Sequence, residues 1–284
     1  MRIAVTGLTG FIGRHVISEL SRYQVDVVAL VRDTEKVNSA SHGAEILKLD
    51  LKNPPDNAFD LLGRPDALIH LAWGGLPNYR SLHHFEQELP MQYHFLSRLI
   101  RAGLPALVVC GTCLEYGMQS GQLTEEMESR PNTPYGYAKD ALRRQLEYLR
   151  ATQTFALTWA RLFYLYGEGQ AENSLWPQLN LSVRRGDKAF NMSGGEQLRD
   201  YLHVADMAKN IVMLALNKAD IGITNICSGK PISVRNLVEG WIKENGWKIN
   251  LNLGYYAYPD YEPMAFWGDR RKLDRFLNDI MDRQ

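Results

Sequence analysis

Tyr135 and Lys139 stand four residues apart in PYGYAKD, ahead of the amphipathic stretch ALRRQLEYLR. On a helix this spacing puts both side chains on one face, where an ammonium group can lower the phenol's pKa and make it a proton donor or acceptor near neutral pH. The same spacing also suits an ordinary surface pair, so the chemistry needs a third group. CGTCLEYG supplies one at the end of an apolar run: the Thr112 hydroxyl can donate to a substrate oxygen and help Tyr135 polarise a carbonyl.

A second pattern concerns binding. TGLTGFIGRH, residues 6–15, follows the short apolar run RIAV and leads into VISEL, which continues as an amphipathic helix. Gly7, Gly10 and Gly13 therefore fall at a strand-to-helix turn. The first permits the tight turn, the second lets backbone approach a pyrophosphate, and the third lets helix and strand pack closely, with the helix N-terminus facing the anion. A glycine-rich turn without ligand is the plainer alternative.

These groups need a scaffold, and strand-like runs provide it: RIAV, VDVVALV (25–31), EILKLD (45–50), ALIHLAW (67–73), ALVVCGT (106–112) and FALTWARLF (155–163), with helical stretches between most of them. Such alternation predicts an α/β fold with a parallel, doubly wound sheet whose ligand lies beyond the carboxyl ends of the strands. After Gly167 the pattern changes. SLWPQLNLSVRRG (174–186) and DMAKNIVMLALNK (206–218) read as helices, followed by GITNICSG and the helix-like VRNLVEGWIKENG. The expected division is a dinucleotide-binding, catalytic domain over 1–166 and a mainly substrate-binding lobe over 167–284, with late segments returning to the main sheet.

With 284 residues, 45% apolar and 23% charged, the chain has ample material for a core. Lys plus Arg equals Asp plus Glu at 32 each, which gives no reason to expect nucleic acid or an anionic membrane as partner. No apolar run approaches the roughly 20 residues of a membrane span, the first residues read as a strand rather than a signal peptide, and three cysteines fit a reducing compartment. The expected location is the cytoplasm. Cys110 and Cys113 form a CxxC, but redox pairs of that kind open a helix, whereas Cys110 is expected in the core of a strand. The seven histidines, His83 and His84 among them, show no zinc spacing and read as surface or packing residues; no metal site is expected.

Together, the glycine loop, the strand-end CGTCLEYG and PYGYAKD resemble the extended short-chain dehydrogenase/reductase superfamily, within it the NAD(P)-dependent nucleotide-sugar epimerases, dehydratases and reductases. The resemblance spans nearly the whole chain, including GEQLRDYLHVADMA. It implies a Rossmann-type sheet with Tyr135 as general acid/base, Lys139 as partner of the phenol and of a cofactor ribose, and Thr112, four positions before Tyr116, as hydrogen-bond donor to the substrate. Around the cofactor it implies Gly7, Thr9, Gly10, Phe11, Ile12 and Gly13 in the loop and Asp50 and Leu51 beside the adenine. Leu71 and Ala72 then line the path to the nicotinamide, joined by Trp73 on the substrate side, and Phe163 touches the nicotinamide region through its backbone. On the substrate it implies Asn173 and Leu175 of AENSLWPQL, with Arg199 of LRDYLHV on the diphosphate. Arg199 and Asp200 also suit an ordinary ion pair. The pattern departs near the end: where a second diphosphate Arg is expected, Tyr258 and Pro259 stand, leaving Tyr258, Arg270 or Arg271 to substitute. A homodimer through the helices before and containing Tyr135 is implied too.

The second strand ends at Arg32, a group suited to a 2′-phosphate, although Asp33 follows it. NADP(H) is therefore favoured, with NAD(H) the alternative. The 4,6-dehydratases of the family follow their Thr with an Asp and a Glu; here Cys113 and Leu114 stand there, and neither is a competent acid. Enzymes resembling GDP-fucose synthase place a Cys two residues before the motif Tyr, where this chain has Leu114, its Cys113 facing the other way if the strand continues. What remains is NADPH-dependent reduction of the C4 ketone of a nucleotide-linked 4-keto-6-deoxyhexose, dTDP- or CDP-linked for example. An NAD-dependent nucleotide-sugar 4-epimerase is the alternative, and a non-catalytic dinucleotide-binding regulator a third reading.

Overall fold

A computed structural model describes residues 1–37 and 41–282. Seven parallel strands form its main sheet in the order β11-β7-β5-β4-β1-β2-β3. They are β1 (Arg2–Thr6), β2 (Asp26–Val31), β3 (Glu45–Lys48), β4 (Ala67–His70), β5 (Ala106–Thr112), β7 (Ala156–Leu162) and β11 (Gly222–Ile226). The order reverses between β1 and β4, which opens the crevice where α/β sheets take their ligands.

Every central strand is buried on both faces, as its continuous Val, Ile, Leu and Ala runs require. On one side α1 (Phe11–Leu20) and α6 (Val204–Leu216) close the core through Val16, Leu20, Met207 and Ile211. On the other lie α2 (Ala58–Leu61), α3 (Leu89–Arg101) and α4 (Pro134–Leu149), packed through Phe59, Phe95, Leu99, Leu142 and Leu146.

The later half divides between two bodies of packing. α6, β11 and α8 (Arg271–Met281) join the main sheet, where Leu273 enters the same core as Ile226. A separate cluster of Leu179, Phe190, Val238 and Trp241 unites α5 (Leu175–Arg185), β9 (Ala189–Asn191) and α7 (Val234–Glu244), with β13 (Asn250–Asn252) paired to β9. Between the two bodies, β8 (Tyr164–Tyr166), β10 (Leu198–His203) and β12 (Pro231–Ser233) form a small sheet, and β6 (Gly121–Leu123) pairs with β14 (Phe266–Gly268).

Two strand ends are fixed by polar groups. β4 stops at His70 rather than Trp73 because the Leu71 and Ala72 N–H groups turn to the Thr6 hydroxyl, at 3.1 and 3.2 Å. β5 does not continue through Cys113: Thr112 caps a tight 3₁₀ turn over Cys113–Tyr116, its Oγ1 accepting from Leu114 N while Glu115 accepts from Thr112 N. The alternation of faces expected for Cys113 and Leu114 therefore does not apply.

Candidate active site

The glycine loop is built as a cradle. Gly7 has φ +80°, and a methyl group there would press on the backbone of Leu71 and Ala72 at 3.0–3.2 Å. Gly10 N donates to Gly7 O at 3.0 Å and Gly10 caps α1. A methyl on Gly13 would collide with the Gly7 carbonyl and lie 2.8 Å from Leu8 Cα, so only glycine lets α1 approach this closely. No side chain caps α1 and its first turn holds no carboxylate, which leaves its N–H groups to an anion. These features fit a dinucleotide diphosphate. Thr9 is exposed and Phe11 and Ile12 are half-buried around the loop.

At the cradle's inner wall, Thr6 accepts two backbone N–H bonds and meets His70 Nδ1 at 3.0 Å. With both lone pairs engaged, the Thr6 hydroxyl proton goes to His70, which places the imidazole proton on Nε2. Burial, reinforced by the Lys139 charge, pushes the His70 pKa down to about 3, so this wall stays neutral.

The candidate catalytic side chains come from two neighbouring helix starts. Thr133 caps α4 by accepting from Gly136 N at 3.1 Å, with Pro134 in the first turn. A methyl on Gly136 would sit 2.6 Å from Leu114 O, so the glycine lets Tyr135 come up against the turn that Thr112 caps. Tyr135 and Lys139 are buried. Lys139 Nζ donates to Cys110 O at 2.8 Å and lies 5.9 Å from the Tyr135 ring centre.

Electrostatics here differ from the expectation that Lys139 brings the phenol toward neutrality. Burial holds the Tyr135 pKa well above 10, aided by Tyr79 and Glu115, while burial pushes the Lys139 amine down to about 8. The ammonium directs one of its N–H bonds to a backbone carbonyl, and desolvation dominates the phenol. In this state Tyr135 is a protonated acid. The Thr112 hydroxyl accepts from Leu114 N and keeps its own proton to donate.

Glu115 is the nearest carboxylate in sequence, and it is fully committed. It accepts from Thr112 N at 2.8 Å, from Trp159 Nε1 at 2.9 Å and from Arg161 Nε at 2.7 Å, and both members of the Glu115–Arg161 pair are completely buried. It holds the turn in place. Cys110 and Cys113 are buried and free, and burial raises both thiols, Cys110 to about 12.

Residues that the motif reading left aside surround Tyr135. His84 lies fully buried 5.1 Å ring to ring from Tyr135, and Tyr79 lies 5.5 Å away with its carbonyl accepting from Tyr135 N. His84 sits on a π-helical turn, 84–88, leading into α3, so no regular periodicity could have aimed it inward. His83, by contrast, is partly exposed and meets Glu88 at 3.2 Å. Among the described residues no group of three or more His, Cys, Asp or Glu could hold a metal.

The remaining sequence-derived positions are distributed as follows. Arg32 is exposed at the end of β2, and Asp33 caps the short turn behind it by accepting from Glu35 N. Asp50 is exposed, accepting from Lys52 N; Leu51 is buried, and Leu71, Ala72 and Trp73 are half-buried. Phe163 N donates to Ile226 O at 3.2 Å, and its ring packs among Tyr116, Cys227 and Phe266. Asn173 is exposed ahead of α5, and Leu175 packs on the core of the smaller body.

Arg199 does not pair with Asp200. Its guanidinium grips Glu262 Oε2 at 2.9 and 3.2 Å and lies 4.6 Å from the Phe266 ring centre. Asp200 instead accepts from Ser228, Gly229 and Gly268 N–H groups. Tyr258 turns its hydroxyl to Glu196, while Arg270 bonds Cys227 O and Asp274, and Arg271 bonds Asp269.

A doubly wound sheet with a glycine cradle at its switch point and a Thr, Tyr and Lys beside it defines a Rossmann-type dinucleotide enzyme. Residues 3–227 match the model of the NAD dependent epimerase/dehydratase family, and the chain belongs to that family. It is 32% identical over 270 residues to the dTDP-6-deoxy-L-talose 4-dehydrogenase (NAD(+)) of Aggregatibacter actinomycetemcomitans, covering 94% of this chain and 99% of that one. It is 27% identical to an uncharacterized UDP-glucose epimerase, YtcB, of Bacillus subtilis (strain 168), covering 98% and 92%. Among solved structures, MoeE5 in complex with UDP-glucuronic acid and NAD superposes with a TM-score of 0.81 at 27% identity, covering 98% and 93%.

Proposed function

We propose that this enzyme reduces the C4 ketone of a nucleotide-linked 4-keto-6-deoxyhexose, using NADPH, with Tyr135 as general acid. The observation that carries the reading is the strand-end turn: Cys113 and Leu114 offer no acid or base, and Glu115 is locked to Arg161, Trp159 and Thr112. Elimination of water across the sugar has no second proton-transfer group there. Simple exchange at a carbonyl needs none. The similarity to a 4-dehydrogenase of a dTDP-6-deoxyhexose supports C4 as the carbon, because oxidation there is the same reaction run backward.

Gly7, Gly10, Gly13 and the start of α1 would hold the diphosphate, Lys139 the ribose, and Leu71 and Ala72 the path to the nicotinamide. When bound, the dinucleotide supplies the hydride. Thr112 donates to the ketone oxygen, and Tyr135 gives it the proton that completes the alcohol. Asn173, Leu175 and Trp73 belong to the substrate side in this reading. Arg199 reaches a diphosphate by exchanging Glu262 for it.

Arg32 supports NADPH: it is exposed just past the end of β2, and a guanidinium fork suits a 2′-phosphate. The 4-epimerase is the second reading, favoured by the resemblance to an epimerase and by the NAD of the superposed structure. The dinucleotide released on denaturing freshly purified protein separates them. NADP(H), or an empty protein that binds NADPH more tightly than NADH, supports the reductase; near-stoichiometric NAD would move the assignment to the epimerase.

A further inference from the structure

We propose that Trp73, locked in place by His84, is a positioning residue that holds the Lys139 ammonium group charged and aimed into the site. The Lys139 Nζ sits 4.0 Å from the centre of the Trp73 ring, a cation on an aromatic face. The indole cannot turn away, because its Nε1–H donates to His84 Nδ1 at 3.1 Å. An indole nitrogen is only a donor, so His84 Nδ1 carries no proton and the ring's Nε2–H donates to Asn78 O at 2.8 Å. The two rings lie nearly parallel, 25° apart, and His84 is completely buried. Gly75 packs on both histidines: a methyl there would lie 3.0 Å from His83 Cδ2 and 3.2 Å from His84 Cε1.

The device answers a specific difficulty. Lys139 is buried, and burial pushes its amine down to about 8, where the charge is only partly held against a rise in pH. The groups facing it are Cys110 from β5, Glu115 from the strand-end turn, Glu88 from the π-helical turn, His70 from β4 and Tyr135 on its own helix. Glu88 and Glu115 favour the charged form but are committed to Gln92, His83 and Arg161; the indole face adds attraction without titrating. Trp73 therefore acts through Lys139 rather than only as a wall for the substrate. The inference rests on the assignment of Lys139 to the cofactor ribose and the phenol.

The test is a titration of the protein labelled with carbon-13 at lysine Cε and free of added cofactor, the Lys139 resonance being the one lost in K139R. In wild type its midpoint should lie below the ordinary lysine value, because of burial, with ring-current displacement from the indole. In W73L the displacement should vanish and the midpoint fall by roughly one and a half pH units, the size of a desolvated cation–π contact. W73F, which keeps an aromatic face and guards against a folding defect, should fall less. H84A, which frees the indole, should move in the same direction. The alkaline limb of kcat/KM should follow, because loss of the ammonium at lower pH removes activity earlier. An unmoved midpoint in W73L overturns the inference; wild-type turnover by K139M would instead overturn the Lys139 assignment beneath it.

Discussion

In the proposed function Tyr135 is the general acid, and its environment suits that role. With a pKa held well above 10 by burial, the phenol arrives protonated, as the acid in a carbonyl reduction must be. Tyr135→Phe removes one oxygen and keeps the ring that packs against His84, Tyr79 and Trp73. Turnover should fall by about 10²–10⁴-fold, the usual worth of a positioned acid, while dinucleotide affinity measured by fluorescence titration stays within about twofold. Unchanged turnover would remove Tyr135 from the proton transfer and leave that role to another group. Thr112, Tyr135 and Lys139 were legible because local rules place them: a strand end, a helix cap and a spacing of four. Trp73 and His84 were not legible as partners. Their contact crosses an irregular loop and a π-helical turn, and it is set by a donor meeting an acceptor rather than by any period in the sequence.

At the scale of elements, β5, β7 and the turn over Cys113–Tyr116 are joined by one buried ion pair. Arg161 on β7 reaches Glu115 in the turn at 2.7 Å, and Glu115 in turn holds Thr112 N. Breaking such a pair from one side leaves a charge stranded in the core, which costs about 3–5 kcal/mol. Arg161→Met should show that loss in urea unfolding, together with a raised KM for substrate as the turn under Thr112 loosens. A change under about 1 kcal/mol would mean that Glu115 finds another partner. The main strands were readable from their apolar runs, since a sheet buried on both faces demands them. Their ends were not: β4 stops three residues short of expectation because Thr6, on a neighbouring strand, captures the next two N–H groups. The alternative of an Arg199–Asp200 ion pair fails for a similar reason. Asp200 is adjacent in sequence, but on a strand adjacent side chains face opposite ways, and Glu262 from a distant loop takes the guanidinium.

For the whole molecule, two bodies of packing share one chain. The larger holds the glycine cradle with Thr112, Tyr135 and Lys139, and the later segments β11 and α6 complete it, so the chain leaves the main sheet and comes back. The smaller carries Leu175 against its own core, and the Arg199–Glu262 pair lies on the elements between the bodies. No helix among the described residues is long and apolar enough to cross a membrane. A homodimer through α3 and α4 belongs to the proposed reading; Tyr137 and Tyr148 stand exposed on α4. The central claim concerns one carbon of the substrate, and the most direct measurement follows a labelled hydride. The enzyme is supplied with a dTDP-4-keto-6-deoxyhexose and NADPH deuterated at the transferring position of its nicotinamide, and the sugar product is examined by NMR. The account predicts stoichiometric loss of NADPH and deuterium bonded to C4 of the hexose. No NADPH consumed and no deuterium at C4, while a parallel sample of an ordinary nucleotide sugar is inverted at C4, would contradict it.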